Sequence, residues 1–309
     1  MIANDKNEAQ EKMDRQVLVF INPISGKGRA RTLASDILQY AKTIGVGCVV
    51  VEPENADLVL PDLAKALLVN RFDALIAIGG DGLVHQAIQI IAASHTPIYV
   101  VPAGTGNDFA RSNKLLETNP SEIFNTIYGR SPATIDVGQI SHANGTRMFA
   151  QILSTGFDAQ VNERANRNEI VAGKMKYNFA TAAVLPKFKA INYELEIDGV
   201  LRKLPAMLVA IANGATYGGG MQLCPMANRQ DGLLDVMILH PVSKLELIKV
   251  FPKVYSGRHV THPAVEFIQA RKIKVAAQTV AYADGERIGE LPITVEIAPQ
   301  SLLTWVSEG

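Results

Sequence analysis

Four short apolar runs recur in the first third of the chain, and the segments between them repeat their apolar residues at helical spacing. The runs cover residues 17–22, 47–52, 73–78 and 98–101. The first intervening segment carries these residues on one helical face: Ala30, Leu33, Ala34, Ile37, Leu38 and Ala41. Two further helices are predicted, over 57–69 and around Val84, Ala87, Ile88 and Ile91. Buried strands alternating with amphipathic helices predict βαβ units and a parallel sheet that helices cover on both faces.

After about residue 135 the pattern changes to apolar segments separated by short turns. Asp198-Gly199 is a strong signal for a two-residue hairpin turn. Helices are expected to interrupt the strands only near 158–185 and 243–255. This half of the chain predicts an antiparallel β-sandwich or barrel-like domain.

The overall composition limits the class of partner and the cellular setting. The chain has 309 residues, with 30 Lys and Arg against 30 Asp and Glu, so no global basic field favours nucleic acid as a partner.

Cys48 and Cys224 lack the spacing of a zinc site or a disulfide framework, which favours a reducing, cytoplasmic setting. The polar residues 1–14 predict a flexible leader rather than a signal peptide. No apolar run is long enough to span a bilayer, so we expect any membrane contact to be peripheral.

Three loops rich in glycine and polar residues leave the carboxyl ends of the predicted parallel strands. They are NPISGKGRA (22–30), GGDG (79–82) and PAGTGND (102–108). Ligands of such sheets bind beyond those strand ends, and glycine there lets backbone N–H groups face a phosphate. A tight turn also uses glycine for its backbone angles alone, and neither a Walker motif nor a complete G-x-G-x-x-G is present. Together the three loops predict a nucleotide site without a common fingerprint.

The third loop is dense in polar groups. Thr105 and Asn107 offer hydrogen bonds, Asp108 offers a carboxylate and Arg111 a fixed cation. Asn107 and Asp108 could instead cap a short helix that starts at Phe109. A cap alone does not explain this density of polar groups, so the loop favours the nucleotide interpretation.

Two acidic motifs in the second half each have a chemical and a structural interpretation. Asp284 and Glu286 lie two residues apart, which places them on one side if both lie on a strand. A carboxylate beside a transferable phosphoryl group can accept a hydroxyl proton, although Asp-Gly is also the commonest hairpin signal. Asp231, followed by Gly232, forms either a turn or a site for a hard cation, and the residues alone favour the turn.

Taken in order, N-P-x-S-G-K, G-G-D-G, P-x-G-T-G-N-D-F-A-R and a late D-G-E resemble the diacylglycerol kinase catalytic-domain family, which includes bacterial lipid kinases, sphingosine kinases and ceramide kinases. G-G-D-G alone is shared with NAD kinases and 6-phosphofructokinases. The resemblance runs from about residue 15 to the end. It implies an ATP-binding α/β domain over 15–135, a C-terminal β-sandwich over 136–301 with a lipid site in the cleft between them, and a return of 302–309 to the first domain.

The resemblance also implies roles for individual residues. Asp284 is expected as the general base with Glu286 as its acidic partner. Asp231, with the main-chain oxygens of Asn228 and Leu233, matches a structural magnesium site, which reverses the turn interpretation. Catalytic magnesium is expected near Asp81, Asp108 and Asp136. The residues expected to bind the nucleotide are Asn22, Lys27, Gly79, Gly80, Asp81, Gly82, Leu83, His85, Gly104, Thr105, Asn107, Asp108 and Arg111.

The sequence departs from the bacterial pattern after G-G-D-G. Leu83, His85 and Gln86 replace the threonine, asparagine and glutamate of G-G-D-G-T-x-N-E, and Leu83 removes a hydroxyl that could bond a phosphate. Sphingosine kinases read G-D-G-L-x-H-E, so the chain combines marks of two branches and the identity of the lipid stays open. His85 on the first turn of a helix is also consistent with packing or capping.

Basic residues dominate one later segment, where only Glu169 opposes Arg164, Arg167, Lys174, Lys176, Lys187 and Lys189. This is either a solvated helical face or an attraction to anionic lipid headgroups, worth about 1 kcal/mol per basic residue.

The sequence therefore predicts an ATP- and magnesium-dependent kinase acting on the hydroxyl of a membrane lipid, with diacylglycerol as the leading substrate. The alternatives are a sphingosine-type lipid kinase, an NAD kinase-like enzyme, and a lipid- or nucleotide-binding regulator without catalysis. We expect a cytoplasmic protein with transient contact at the inner face of the membrane and no nucleic-acid partner. A homodimer stays open as the quaternary state.

Overall fold

A computed structural model describes residues 15–53, 58–92, 94–166 and 180–306. The chain divides into two compact units, called here the first unit (up to Ile135, and from Ser301 onward) and the second unit (Asp136–Gln300). The predicted leader over 1–14 and the middle of the basic segment, over 167–179, lie outside the described residues.

The first unit is an α/β domain, as its alternating pattern predicts. Four parallel strands in the order β2-β1-β3-β4 form its sheet: β1 (Gln16–Ile21), β2 (Gly47–Val51), β3 (Ala74–Gly79) and β4 (Ile98–Pro102). Its helices are α1 (Arg29–Thr43), α2 (Val59–Val69), α3 (Asp81–Ile91), α4 (Asp108–Ser112) and α5 (Pro120–Gly129). The central strand β3 is buried along its whole length, which explains its unbroken apolar sequence.

Helix packing in the first unit follows from small side chains and capping residues. The inner face of α1 is lined by Ala30, Ala34, Ile37 and Ala41, all buried. Helix α5, which the periodicity did not predict, begins where the Asn119 side chain accepts a hydrogen bond from Ser121 N at 3.0 Å and Pro120 takes the first helical position.

The second unit contains two antiparallel arrangements of strands. Six strands pair in the order β12-β11-β10-β7-β14-β15: β7 (Ile152–Gly156), β10 (Leu208–Ala212), β11 (Leu234–Leu239), β12 (Val265–Ala270), β14 (Val280–Ala283) and β15 (Glu286–Glu290). The others are β5 (Ala133–His142), β6 (Gly145–Phe149), β8 (Ile191–Ile197), β9 (Val200–Ala206), β13 (Lys272–Ala276) and β16 (Ile293–Thr304). Strand β13 pairs with both β8 and β16, and β6 pairs with β5.

Strand β10 shows how the core of the second unit is layered. Val209 and Ile211 belong to one apolar cluster, together with strand residues such as Leu195 and Val275. Ala210 belongs to a second cluster on the other side of the strand. The second cluster includes residues of helices α6 (Phe157–Asn166) and α7 (Lys244–Val250). A strand buried on both sides therefore separates the inner core from a layer covered by helices.

Local signals in the second half have mixed outcomes. The hairpin at Asp198-Gly199 is confirmed, with φ values of 47° and 86° between the paired residues Ile197 and Val200. Helix α7 and the 3-10 turn Phe251–Ser256 occupy the segment predicted as the second helix. The apolar stretch from Met148 onward is interrupted at Ala150 and Gln151, which lie between β6 and β7.

The end of the chain packs within the first unit. Thr304 pairs in parallel with Ile98 of β4, and its hydroxyl donates to Ile98 O at 2.8 Å. The buried Trp305 donates from Nε1 to Arg130 O at 2.9 Å, and its ring lies 5.8 Å from that of Tyr99. Burial raises the pKa of Tyr99 to about 12. The residues from Ser301 to Val306, which include the end of β16, are therefore a structural part of the first unit.

We predict that Trp305→Ala destabilises the first unit by about 3–5 kcal/mol, because it removes a large buried ring and leaves a cavity beside Tyr99. Urea unfolding followed by circular dichroism measures the change. The neighbouring Val306→Ala serves as a control because Val306 is exposed, and it should change stability by less than about 0.5 kcal/mol. Equal effects of the two changes would contradict a packing role for Trp305.

Candidate active site

The three glycine loops of the first unit meet at the carboxyl ends of β1, β3 and β4. Ala103 N and Gly104 N both donate to Gly79 O, at 2.9 and 3.2 Å. Asn22 N donates to Ile78 O at 3.2 Å, which ties the first loop to the end of β3. The sequence placed these loops at one sheet edge, and the backbone hydrogen bonds show that they contact each other.

Glycine is required where these loops touch. A side chain on Gly104 would place its Cβ 2.6 Å from Gly80 Cα, and one on Gly26 would clash with Ala103 O. Gly26 and Lys27 both have a φ of 59°, a left-handed conformation that is costly for lysine. The side chain of Lys27 is exposed on this loop. Backbone groups and one cation are thus presented where the sequence predicts phosphate.

Asp81 joins the second loop to the third. Its Oδ1 accepts hydrogen bonds from Asp108 N at 2.6 Å and Phe109 N at 3.4 Å, at the start of α4. The missing side chain of Gly106 leaves the space in which Asp81 and Asp108 approach each other, because a Cβ there would clash with Asp81 Oδ2 and lie 3.6 Å from Asp108 Oδ2. The structure therefore brings these two carboxylates together.

Two other predicted nucleotide ligands are hydrogen-bonded within their own loop. Asn107, at a φ of 57°, accepts from Gly104 N at 3.0 Å and donates to Gly104 O at 2.9 Å. Arg111 donates from Nη2 to Gly106 O at 3.0 Å. Thr105 is exposed at the tip between them. Asn107 thus shapes the loop, and Thr105 is placed to meet a ligand.

Leu83 and His85 have buried side chains on α3. Leu83 packs directly on Gly79, where an added Cβ would lie 2.6 Å from Leu83 Cδ2. These positions share the inner face of α3 with Val84 and Ala87, which explains their burial. The structure buries both side chains, and the expectation that these two residues bind the nucleotide stays a prediction.

Asp284 occupies a hairpin turn of the second unit and not a strand. With φ values of 52° and 89°, Asp284 and Gly285 connect β14 to β15, so the prediction of a shared strand face with Glu286 does not apply. The Asp284 carboxylate accepts three backbone N–H groups, from Ala150 at 2.8 Å, Gln151 at 2.9 Å and Ile152 at 3.2 Å. Glu286 is exposed at the start of β15. Three donors therefore fix the orientation of the Asp284 carboxylate.

Asn213 supports the segment that holds Asp284, a role that sequence reasoning missed. The side chain of Asn213 is fully buried, and its Nδ2 donates to Ala150 O and Asp136 O, both at 2.9 Å. Asn213 N also donates to Gln151 O at 2.9 Å. An Asn-Gly pair after an apolar strand normally signals a turn, so no local pattern distinguishes this residue.

The Asp284 hairpin is also tied to helix α6. Glu163 Oε1 accepts from Tyr282 Oη at 3.0 Å and from Arg287 Nε at 2.6 Å. Burial, reinforced by the hydrogen bond to Glu163, raises the pKa of Tyr282. Both strands of the hairpin are thus anchored beside the turn that carries Asp284.

Asp136 acts within the second unit as an acceptor for backbone N–H groups. Its Oδ2 accepts from Gly232 N at 2.8 Å and its Oδ1 from Gln300 N at 2.7 Å. Both oxygens of a fully buried carboxylate are therefore engaged by the chain itself. Its predicted part in magnesium binding stays a prediction, whereas its structural role in holding the loop at Gly232 is defined by these bonds.

The loop over 228–233 has the chemistry of a site for a hard cation. Asp231 is exposed, with its Oδ1 accepting Leu233 N at 3.0 Å, and Asn228 Oδ1 accepts Gln230 N at 3.1 Å. Burial, with a smaller contribution from the negative charge of Asp231, raises the pKa of Asp235. A cation at Asp231 would relieve that repulsion, and a carboxylate flanked by carbonyl oxygens is a donor set that magnesium accepts.

The part of the chain that the structure describes holds no cluster of metal ligands made of side chains alone. Within the described ranges, no three His, Cys, Asp or Glu residues are grouped to hold a metal ion. Magnesium commonly takes one or two carboxylates and completes its shell with phosphate oxygens and water. Asp81 and Asp108 supply two carboxylates. A magnesium ion bound by them would complete its shell with phosphate oxygens and water, which is the mode described above.

A pocket in the second unit has an almost wholly apolar lining. It lies between β10, β11, α6 and α7, and its cavity volume is about 40 Å³. Side chains in its wall include Leu208, Met221, Met237, Leu247, Val250 and Val254. At its edge lies the buried Asp158, which accepts hydrogen bonds from Ser154 Oγ and, at 3.1 Å, from Asn162 Nδ2. Such a lining suits a hydrocarbon chain rather than a polar ligand.

Comparison with known proteins shows the family. The diacylglycerol kinase catalytic domain matches residues 16–140, and the YegS C-terminal NAD kinase beta sandwich-like domain matches residues 151–306. A diacylglycerol kinase of Mycobacterium tuberculosis is 34% identical over 290 residues, which cover 93% of this chain and 94% of that protein. The chain belongs to the diacylglycerol kinase family.

Further relatives agree with this membership. A diacylglycerol kinase of Bacillus subtilis is 28% identical over 286 residues, covering 90% of this chain and 92% of that protein. A crystal structure from Bacillus anthracis, provisionally described as a diacylglycerol kinase, matches with a TM-score of 0.76 at 20% identity, over 96% of this chain and 98% of that one. The predicted family and fold class are confirmed. Among the described residues of this family member, no helix is long and apolar enough to cross a membrane.

We predict that Gly104→Ala forces the second and third loops apart, because its Cβ would lie 2.6 Å from the backbone of Gly80. The expected cost is about 1–3 kcal/mol in the free energy of unfolding, with faster amide exchange at Gly79–Gly82. Gly129→Ala is the matched control, since nothing lies within 4 Å of its added Cβ. If both variants behaved alike, close contact between the loops would not be the reason for glycine at 104.

Proposed function

We propose that this family member transfers the γ-phosphoryl group of ATP to the hydroxyl of a membrane lipid, with diacylglycerol as the leading substrate and phosphatidic acid as the product. The observation that carries the proposal is the Asp284 carboxylate, which three backbone N–H groups hold in one orientation. A carboxylate oriented in this way is suited to accept the proton of an attacking hydroxyl. Kinship with proteins named diacylglycerol kinase supports the choice of acceptor.

In this proposal the first unit holds the nucleotide through its three loops. Bound ATP with magnesium supplies the transferable phosphoryl group. The loop glycines allow backbone N–H groups to approach phosphate oxygens, while Thr105 adds a hydroxyl and Lys27 a positive charge. Asp81 and Asp108 are the carboxylates placed to orient magnesium and its waters. The positive charges of Lys27 and of magnesium would stabilise the negative charge of the phosphoryl group during transfer.

In the second unit Asp284 would take the hydroxyl proton as the new P–O bond forms and the bond between the γ-phosphoryl group and the departing ADP breaks. Asn213 and Glu163 act through other groups: Asn213 holds the segment that donates to Asp284, and Glu163 holds the hairpin. Glu286, at the neighbouring exposed position, supplies negative charge beside the base. The apolar pocket favours a lipid over NAD as the acceptor, because a nicotinamide nucleotide would bring charged phosphates against an apolar wall.

Transfer from labelled ATP to a panel of lipids tests the proposal. The panel should contain diacylglycerol, monoacylglycerol, sphingosine and ceramide, with NAD as the non-lipid acceptor. We expect labelled phosphatidic acid, dependent on magnesium. Labelling of NAD alone, or of no acceptor while ATP and magnesium still shift the melting temperature, would overturn the assignment as a lipid kinase.

We predict that Asp284→Asn lowers kcat by about 100-fold or more, because an amide cannot accept the hydroxyl proton. Nucleotide binding, measured as an ATP-dependent thermal shift, should change little, since Asp284 lies in the second unit. Asp198→Asn is a closely matched control: Asp198 also opens an Asp-Gly hairpin turn and accepts two backbone N–H groups, from Arg271 and Lys272. Comparable loss of transfer in both variants would show that turn geometry, and not proton transfer, is responsible.

We predict that Asp231→Asn raises the magnesium concentration needed for half-maximal transfer by about tenfold or more, because a neutral ligand binds the cation less tightly. A magnesium titration at saturating ATP measures this change. Turnover at high magnesium should approach that of the unchanged protein. An unaltered magnesium dependence would remove Asp231 from the set of metal ligands.

A further inference from the structure

Helix α7 and the 3-10 turn that continues it, together covering residues 244–256, are apolar on two opposite sides. The inner side consists of residues that are buried against the second unit and line its pocket: Leu247, Val250 and Val254. The outer side carries large apolar residues exposed to solvent, namely Leu245 (72% exposed), Ile248 (53%) and Tyr255 (47%). The exposed Pro252 lies between them, so the four residues recur at helical spacing and form one outer ridge.

This outer ridge differs from the ordinary scatter of exposed apolar side chains. Single exposed leucines are normal on a protein surface, but a helix at the surface usually presents charged and polar residues to water on its outer face. Here the outer face is apolar over three turns. Helices with an apolar ridge and basic flanks are typical of segments that lie in the interface between water and lipid.

The charges around the ridge are basic. Lys244, Lys249, Lys253 and Arg258 are exposed, and Glu246 is the one acidic residue between positions 244 and 258. The Glu246 carboxylate is paired with His262 Nε2 at 3.0 Å, and that hydrogen bond lowers the pKa of Glu246. Lys244 Nζ donates to Pro186 O, so the exposed Lys187 adds a further positive charge beside the start of α7.

We propose that the outer ridge docks the protein on an anionic membrane surface. Leu245, Ile248 and Tyr255 would enter the boundary between headgroups and acyl chains, while the lysines meet lipid phosphates. The inference rests on the proposed function, because the same helix forms a wall of the apolar pocket. The apolar inner side of the helix and its apolar outer ridge are thus presented by the same short segment.

Only part of the basic segment predicted from the sequence contributes to this surface. Arg167, Lys174 and Lys176 lie outside the described residues, and Arg164 is exposed on α6. Lys187 is linked to the ridge through the contact of Lys244 with Pro186. The docking surface is therefore centred on α7, some 60 residues later in the sequence than Lys187.

Sedimentation with lipid vesicles tests the docking surface without requiring phosphoryl transfer. The probes are vesicles of phosphatidylcholine alone and of phosphatidylcholine mixed with phosphatidylglycerol. The unchanged protein should bind the anionic vesicles more tightly. Lys249→Gln with Lys253→Gln should weaken binding to the anionic vesicles by about 30-fold and leave binding to the neutral ones unchanged. Leu245→Ser with Ile248→Ser should weaken binding to both by about tenfold or more.

A matched control is available on the β8–β9 hairpin of the same unit. Val200 and Leu201 are 64% and 59% exposed, so Val200→Ser with Leu201→Ser removes a similar apolar area from another surface. This control should bind both vesicles as the unchanged protein does. All variants alter exposed side chains, and equal melting temperatures will show that each one folds.

A kinetic comparison then separates docking from catalysis. With diacylglycerol presented in anionic vesicles, both α7 variants should lose transfer in proportion to their lost binding. With a short-chain diacylglycerol dispersed as monomers, they should keep the turnover of the unchanged protein. If the proposed function fails, no lipid is labelled, but the vesicle results still hold and support the docking surface.

Two outcomes would overturn the docking proposal. One is equal vesicle binding by the unchanged protein, the α7 variants and the β8–β9 control. The other is conversion of a dimer to a monomer by Leu245→Ser with Ile248→Ser, seen by analytical ultracentrifugation, with vesicle binding unchanged. The second result would assign the outer ridge to contact between copies of the chain.

Discussion

Aspartate carboxylates that accept backbone N–H groups hold together the parts of this protein to which its proposed chemistry is assigned. Asp81 joins two glycine loops through Asp108 N, and Asp284 joins a hairpin turn to the segment that starts at Ala150. Asp136 does the same for the loop over 228–233, through Gly232 N. Loop N–H groups must find acceptors, and a charged acceptor forms shorter and stronger bonds than a neutral one. Without these contacts the loops would have no fixed geometry on which a site could depend.

Such bonds leave an aspartate able to perform chemistry. Each carboxylate oxygen has two lone pairs, and of the three N–H groups at Asp284 one donates to Oδ2 and two donate to Oδ1. The N–H donors in addition remove the rotational freedom that a catalytic carboxylate would otherwise lose on reaching the transition state. The structural and the proposed catalytic roles of Asp81 and Asp284 are therefore compatible, and each accounts for why an aspartate stands at that position.

The parts of the structure that follow from short-range pattern could be predicted from the sequence, and those that depend on distant partners could not. Strand and helix periods give the parallel sheet and the edge where the three loops meet. The Asp-Gly pairs at Asp198 and Asp284 are alike in sequence and in turn geometry. The two carboxylates differ in the backbone N–H groups that they accept. Asp198 accepts those of Arg271 and Lys272, whereas Asp284 accepts those of a segment more than 130 residues earlier in the chain. No local signal encodes that choice.

Leu83 shows that a local motif also does not determine where a side chain points. By motif it stands where a phosphate contact is expected, yet its side chain packs on Gly79 inside the first unit. The glycines of the motif restrict the course of the backbone. Which side chains can reach a ligand depends instead on the face of the helix on which each residue lies. Helix α7 obeys that logic on both faces: the period that buries Leu247 and Val250 around the pocket necessarily turns Leu245 and Ile248 outward. Apolar residues on the outward positions are therefore not a by-product of core packing, which would be equally well served by polar residues there, and the proposed docking on a membrane surface accounts for them.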